Sequence, residues 1–141
     1  MSKFGAIFVN LPVRDLSRSM AFFRNLGFTF DERFTNDMAA CLVIGSNMYA
    51  MLVTHAKFQE FTPRTICDAT QQTEVLLALS LSSREAVDAM MQQVEAAGGR
   101  RIRGQDHGFM YEQAFQDLDG HIWEAFWMDP AVLEQKTSTT A

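Results

Sequence analysis

The sequence is short of cysteine, proline, positive charge and long apolar runs, and each shortage closes a class of protein. Only two cysteines occur in 141 residues, Cys41 and Cys67, without CxxC spacing. That excludes a disulfide scaffold and a cysteine-based zinc site, so both thiols are expected to be reduced. With three prolines and eight glycines there is no proline- or glycine-rich linker. No apolar run approaches the length that spans a bilayer, and Met1 to Asn10 lacks the basic and apolar regions of a leader. A cytoplasmic location without membrane contact is the expectation. Lysine and arginine number 12 against 17 aspartates and glutamates, a net charge of −5. No basic field exists to attract a phosphate backbone, so nucleic acid is excluded as the main partner and a small neutral or cationic ligand fits better.

Familiar catalytic patterns are missing too. There is no HExxH, no GxSxG, no phosphate-binding glycine loop and no Cys–His pair at a recognisable spacing; His55, His107 and His121 are scattered.

What is present is an ordinary globular composition, 48% hydrophobic and 21% charged, enough for a sizeable core. One domain over residues 1–141 is expected, with a first module over about 4–53, a connector over 54–73, a second module over about 74–129 and a frayed tail over 130–141. From Ala6 to Val13 the odd positions Ile7, Val9, Leu11 and Val13 are aliphatic, whereas the even positions are Ala6, Phe8, Asn10 and Pro12. This alternation predicts a strand with two different faces. Asp15 is a helix N-cap, Leu16, Met20 and Phe23 recur at helical spacing, and Gly27 is a stop. Short β-like runs follow over Phe28–Phe34, Met38–Ile44 and Met48–Val53, separated by polar turns.

The second half repeats this order. In Glu74 to Leu81 the odd positions Val75, Leu77, Leu79 and Leu81 oppose Glu74, Leu76, Ala78 and Ser80. Ser82 with Glu85 forms a capping box, and Val87, Met90, Met91 and Val94 make a helical stripe ending at Gly98-Gly99. Strands are predicted over Arg100–Arg103, Phe109–Phe115 and Ile122–Trp127, with Asp119-Gly120 as a turn between the last two. The fold class is α+β, two tandem βαβββ modules whose mixed sheets line a cavity. Phe58, Phe61 and Ile66 in the connector fit an edge-covering segment or short helix, with a lid or dimer contact as the alternative.

If the aliphatic faces pack on helices, then Phe8, Asn10, Glu74, Leu76 and Ala78 point the other way. Glu124 lies among Ile122, Trp123, Ala125, Phe126 and Trp127, so its carboxylate is expected to be partly buried. Such a group is paired, hydrogen-bonded, metal-bound or catalytic. The structural alternative is a polar cluster with Asn10, Tyr49, Tyr111 or an arginine. Arg100, Arg101 and Arg103 read as a charged edge strand or as a grip for a ligand carboxylate.

Two stretches carry a resemblance. Leu11-Pro12-Val13-Arg14-Asp15-Leu16-Ser17-Arg18-Ser19, with Phe22-Phe23 and Leu26-Gly27, resembles the opening of the vicinal oxygen chelate superfamily, the glyoxalase, bleomycin-resistance and extradiol dioxygenase group. Phe115-Gln116-Asp117-Leu118-Asp119-Gly120-His121-Ile122-Trp123-Glu124 resembles its closing turn and strand, with Leu118 where proline is usual. The resemblance implies paired βαβββ modules around a cavity, a homodimer, and in the enzymes one divalent metal held by inward strand residues. Carried over, the metal positions fall at Phe8, near Leu76, at Glu124 and, in the first half, near Ala50; only Glu124 has a suitable donor. No cofactor and no metal are therefore expected, and glyoxalase chemistry would lose its main charge stabiliser. The expected ligand-binding residues are Phe8, Asn10, Ala50, Glu74, Leu76, Tyr111 and Glu124. The leading expectation is a metal-free, cavity-binding protein for a small amphipathic or cationic molecule. The alternatives are a glyoxalase-like lyase or isomerase using Glu124 as acid or base, with an unconventional Asn10, Glu74 and Glu124 metal site, and a purely structural role.

Overall fold

A computed structural model of the chain describes residues 2–132 and 134. Most of the expected tail lies outside the described residues. The chain forms two compact units: the first runs to Gln72 and includes Leu118–Gly120, and the second holds Thr73–Asp117 and the chain from His121 onward.

The first unit contains β1 (Ile7–Val13), α1 (Leu16–Asn25), β2 (Thr29–Asp31), a 3-10 turn (Glu32–Phe34), β3 (Ala39–Gly45), β4 (Met48–Thr54) and α2 (His55–Gln59). Its four strands lie in the order β1-β4-β3-β2. The β1–β4 pair is parallel, and the other pairs are antiparallel. The second unit contains β5 (Leu76–Ser80), α3 (Arg84–Ala96), β6 (Arg100–Asp106), β7 (Met110–Gln116) and β8 (Ile122–Met128). Its order, β5-β8-β7-β6, is the same, again with its first and last strands parallel. The tandem βαβββ reading holds in both units.

A parallel pair needs a crossover connection, and in each unit the crossover helix packs on one sheet face. The Asp15 carboxylate accepts the Arg18 N–H at 3.1 Å to start α1, and Gly27, at φ 96°, lets the chain leave it. For α3 the cap is Ser83, accepting the Ala86 N–H at 3.0 Å, one residue beyond the expected Ser82. Beneath α1 lie Leu11, Val13, Leu42, Ala50 and Leu52 with Phe22 and Phe23 from the helix, none more than 4% exposed. Beneath α3 lie Phe115, Trp123 and Ala125 with Val87, Met91 and Val94, all at 0%. Each large apolar side chain so buried contributes about 1.5–3 kcal/mol.

Three strands begin or end two or more residues from where they are expected. The Asp31 carboxylate accepts the Arg33 backbone N–H at 3.0 Å and pairs with the Arg33 guanidinium at 2.8 Å, turning the chain so that β2 stops three residues early. Strand β5 starts at Leu76 because its partner β8 begins opposite, at Ile122; Glu74 and Val75 precede the strand. Strand β6 runs on to Asp106 because β7 offers partners as far as Tyr111.

The turn between β7 and β8 does more than reverse the chain. Asp119 accepts the Arg14 backbone N–H at 2.8 Å and the Ser19 hydroxyl at 3.2 Å, joining Leu118–Gly120 to the start of α1. Asp117 accepts the His121 N–H at 3.0 Å and the buried Trp123 indole N–H at 3.0 Å. Gly120 sits at φ 92°, and a Cβ there would stand 2.7 Å from the Thr70 nitrogen and 2.8 Å from the Ala69 carbonyl carbon.

Arg84 closes the β6–β7 hairpin. Its guanidinium donates to both Asp106 oxygens, at 2.7 and 2.9 Å, and to the Gly108 carbonyl at 2.7 Å, and lies against the Tyr111 and Trp127 rings. Hydrogen bonds from Arg84, then from the Gly108 N–H, hold the Asp106 carboxyl down at about 2. Cys41 is buried, Cys67 is exposed, and both are free thiols; burial raises the Cys41 thiol pKa. Among the described residues no helix is long and apolar enough to cross a membrane.

Two outcomes follow. Gly120→Ala combines a left-handed backbone with a clash against main chain, and thermal unfolding should show a loss of about 2 kcal/mol or more. Because the folded-state pKa of Asp106 is depressed, its contribution to stability is present above the usual carboxylate range and disappears as pH falls from about 4 to about 2. Carboxyl titration by NMR should place Asp106 near 2 in the native chain and return it towards 3.8 in Arg84→Met.

Candidate functional site

Because side chains alternate along a strand, the face of each sheet turned away from its helix is set by the residues between the core positions. In the second unit one row across this open face reads Ala78, Glu124, Ala114 and Arg103. The neighbouring rows are Ser80, Phe126, Glu112 and Gln105, and Leu76, Ile122, Gln116 and Arg100. Leu76 is 50% exposed, as an apolar residue is when its unit provides nothing to cover it.

Glu124 is partly buried, as expected. Its Oε2 accepts from Arg103 Nη2 at 3.0 Å, while Arg103 Nη1 donates to Glu112 Oε1 at 3.2 Å. The two carboxylate side chains are 14% and 16% exposed, whereas that of Arg103 is 50% exposed. The guanidinium crosses the Ala114 row position, where a methyl group leaves room for it. Two largely covered carboxylates need partners, and one forked guanidinium supplies both. His107 Nε2 lies 3.9 Å from Glu112 Oε1 at the margin of the cluster.

Arg103 reaches this face because of a register irregularity. Arg101 pairs opposite Phe115 and Arg103 opposite Ala114, with the shift at Ile102. In a regular strand residues two apart share a face; the extra residue sends them to opposite faces. Arg101 accordingly binds Glu95 of α3 at 2.9 Å, on the helix side. Strand β6 is the edge of its sheet, as the charged-edge reading anticipated.

In the first unit the open face carries Phe8, Tyr49, Val43 and Thr29 in one row, and Asn10, Met51, Cys41 and Asp31 in the next. The Phe8 and Tyr49 rings stack with centroids 4.6 Å apart and planes 13° from parallel, and Phe8 stays 48% exposed. Asn10 is exposed, its amide reaching back to the Phe8 carbonyl at 3.4 Å.

Phe8, Asn10, Leu76 and Glu124 therefore lie on open faces of their own units, and three expected site residues do not. Ala50 pairs with Val9 and Leu42 on the helix side and is fully buried; the counterpart of Glu124 by register is Met51. Tyr111 pairs with Trp127, also on the helix side, where its hydroxyl donates to Asp88 Oδ1 at 2.5 Å and accepts from Gln113. That bond to Asp88 raises the Tyr111 pKa. Glu74 lies before β5 and is exposed, so it has no place on the strand face.

Among the described residues no group of three or more His, Cys, Asp or Glu side chains is placed to hold a metal ion. Phe8, Leu76 and Met51 offer no donor suited to a hard divalent ion, and Glu124 is engaged by Arg103. These residues do not fit the metal of the family that the sequence resembles. Sequence reasoning missed Glu112 and the inward turn of Arg103. The alternation in β7 could have flagged Glu112; nothing local marks the bulge.

Residues 6–45 match the bleomycin resistance protein-like N-terminal family. Solved structures superpose over nearly the whole chain. A hypothetical protein from S. aureus is 28% identical, with a TM-score of 0.77 over 89% of this chain and 95% of that one. A glyoxalase/bleomycin resistance protein/dioxygenase family enzyme from Burkholderia phytofirmans is 19% identical, with a TM-score of 0.72 over 86% and 96%. The chain has the vicinal oxygen chelate fold. Another protein of this fold, the fosfomycin resistance protein FosX from Listeria monocytogenes, is 18% identical, with a TM-score of 0.64 over 89% and 94%. No curated protein matches the sequence. The resemblance to the vicinal oxygen chelate group is borne out, at Leu11–Ser19 by the matched family and over the rest of the chain by the shared fold.

Ala114 tests the cluster. Ala114→Leu would drive a branched side chain between Glu124 and Arg103, and denaturant unfolding should show a loss of about 1–3 kcal/mol. Ala78→Leu, in the same row but exposed, should stay within about 0.5 kcal/mol of the native chain.

Proposed function

We propose that this chain is a cytoplasmic, homodimeric small-molecule-binding protein of the glyoxalase and bleomycin-resistance type, working without the family's divalent metal. The observation that carries this reading is the open face of the second sheet. Two carboxylates, Glu112 and Glu124, are largely covered there although they lie on the face away from α3, and exposed Leu76 lies one row from Glu124. An apolar surface with a few convergent polar groups is the usual make-up of a ligand site. The exposed Phe8–Tyr49 stack gives the first unit a comparable apolar face. The family matched by residues 6–45 is described by bleomycin resistance and FosX by fosfomycin resistance, both named for small molecules. Two free thiols agree with a reducing compartment.

The lyase or isomerase alternative has less support. Among the described residues no group of three or more His, Cys, Asp or Glu side chains is placed to hold a metal ion, so such chemistry would lack that charge stabiliser.

Thermal-shift screening with small amphipathic amines and neutral aromatics should raise the unfolding midpoint of the native chain for some of them. Ala78→Trp, which fills the row beside Glu124, should fold normally and abolish the shift. No stabilisation across a broad panel would sink the binding reading, and turnover of methylglyoxal hemithioacetal with added Zn, Ni, Mn or Fe would replace it with the enzyme. Light scattering should report twice the chain mass.

A further inference from the structure

We infer that Arg103 is a tethered occupant of the ligand site, and that the molecule this face takes carries a forked planar cation, an amidinium or guanidinium, which displaces it. This rests on the binding reading and names its ligand class. The Glu112 and Glu124 carboxylates come from adjacent strands, β7 and β8, and converge on one guanidinium at 3.2 and 3.0 Å. The guanidinium fills the place that a ligand cation would take. Counting charges, two carboxylates and one guanidinium leave the cluster at −1, so the site favours a cation over an anion even when Arg103 is in place.

The cluster is unequally held. Glu112 and Glu124 belong to the inner strands of the sheet and are 16% and 14% exposed, which fixes their positions. Arg103 belongs to the outer strand β6, all seven residues of which are exposed, and half of its side chain faces water. Withdrawal of its side chain into solvent leaves the sheet pairing intact and uncovers both carboxylates over the Ala114 methyl. A planar fork donating one N–H to each carboxylate reproduces what Arg103 supplies, whereas a compact ammonium offers a point charge without that geometry. Arg103 thus sets both selectivity and a threshold: only a cation that binds the two carboxylates better than the tethered one gains entry. Competition from a tethered group scales apparent affinity by the fraction of time the site is open.

The test is chemical rescue with benzamidinium chloride as the probe, and benzamide, its neutral isostere, as control. Arg103→Ala leaves the two carboxylates facing each other, so its unfolding midpoint should fall. Benzamidinium should restore that midpoint and bind Arg103→Ala at least about tenfold more tightly than the native chain in titration calorimetry. Benzamide should do neither, and Glu112→Gln with Glu124→Gln in the Arg103→Ala background should abolish the effect. If Arg103→Ala does not fold, Arg103→Thr, a good strand former too short to lie over Ala114, serves in its place. Equal benzamidinium affinity in the native chain and the Arg103 variant, equal rescue by benzamide, or rescue that survives loss of both carboxylates overturns the inference. The readout needs no natural ligand. A native chain that binds nothing in the screen, beside a successful rescue, would count against the binding reading alone; a native chain that binds panel compounds as tightly as Arg103→Ala does would count against the displaced arginine alone.

Discussion

The parallel pairing of the first and last strands in each unit is the constraint on which the rest depends. Parallel neighbours cannot be joined by a tight turn, so the chain between β1 and β4, or β5 and β8, must cross over, and it does so with a helix that covers one face of the sheet. Covering one face with that helix converts the period-two alternation of every strand into a division between a helix-packed face and an opposite one. Trp123 and Glu124 are neighbours in sequence with opposite fates for this reason. The indole is fully buried beneath α3 and bonded to Asp117, and the carboxylate lies on the open face beside Arg103.

An open face poses two physical problems, and the units meet them differently. In the first, the exposed aromatic Phe8 stacks on Tyr49, so that part of its surface is covered without a helix. In the second, the carboxylates of β7 and β8 are drawn together by a single arginine from the edge strand. Half-exposed as Arg103 is, water screens the pairs, and their contribution to stability is modest. Their consequence is positional: the pairs hold two acidic groups in register at the centre of a sheet face.

Much of this was legible from residue order. Alternation in Ala6–Val13 reappears as β1 with Leu11 and Val13 buried, that in Glu74–Leu81 only as the shorter β5 with Leu77 and Leu79 half-buried, and the caps at Asp15 and Gly27 and the stripe Val87, Met90, Met91 and Val94 reappear as expected. The vicinal oxygen chelate motifs were legible for a structural reason. Asp117 and Asp119 tie a turn to Trp123 and to the start of α1, and Gly120 fits against Ala69 and Thr70 where no side chain has room. The errors fall where a position depends on a partner strand. The resemblance put the first-half counterpart of Glu124 near Ala50, and the β1–β4 register gives that place to its neighbour Met51, while Tyr111 turns to Asp88 on the helix side.

By itself, then, the sequence determined the two βαβββ units, most of the residues that pack beneath their helices and the apolar chemistry of Phe8 and Leu76. Those properties follow from local periodicity and from side-chain chemistry, which need no knowledge of neighbours. Only the tertiary structure decided that Glu124 meets Arg103 and Glu112. That meeting depends on strand register and on one irregular residue, Ile102, which puts Arg103 on the face opposite Arg101; pairing between strands distant in sequence leaves no mark in the local pattern of either.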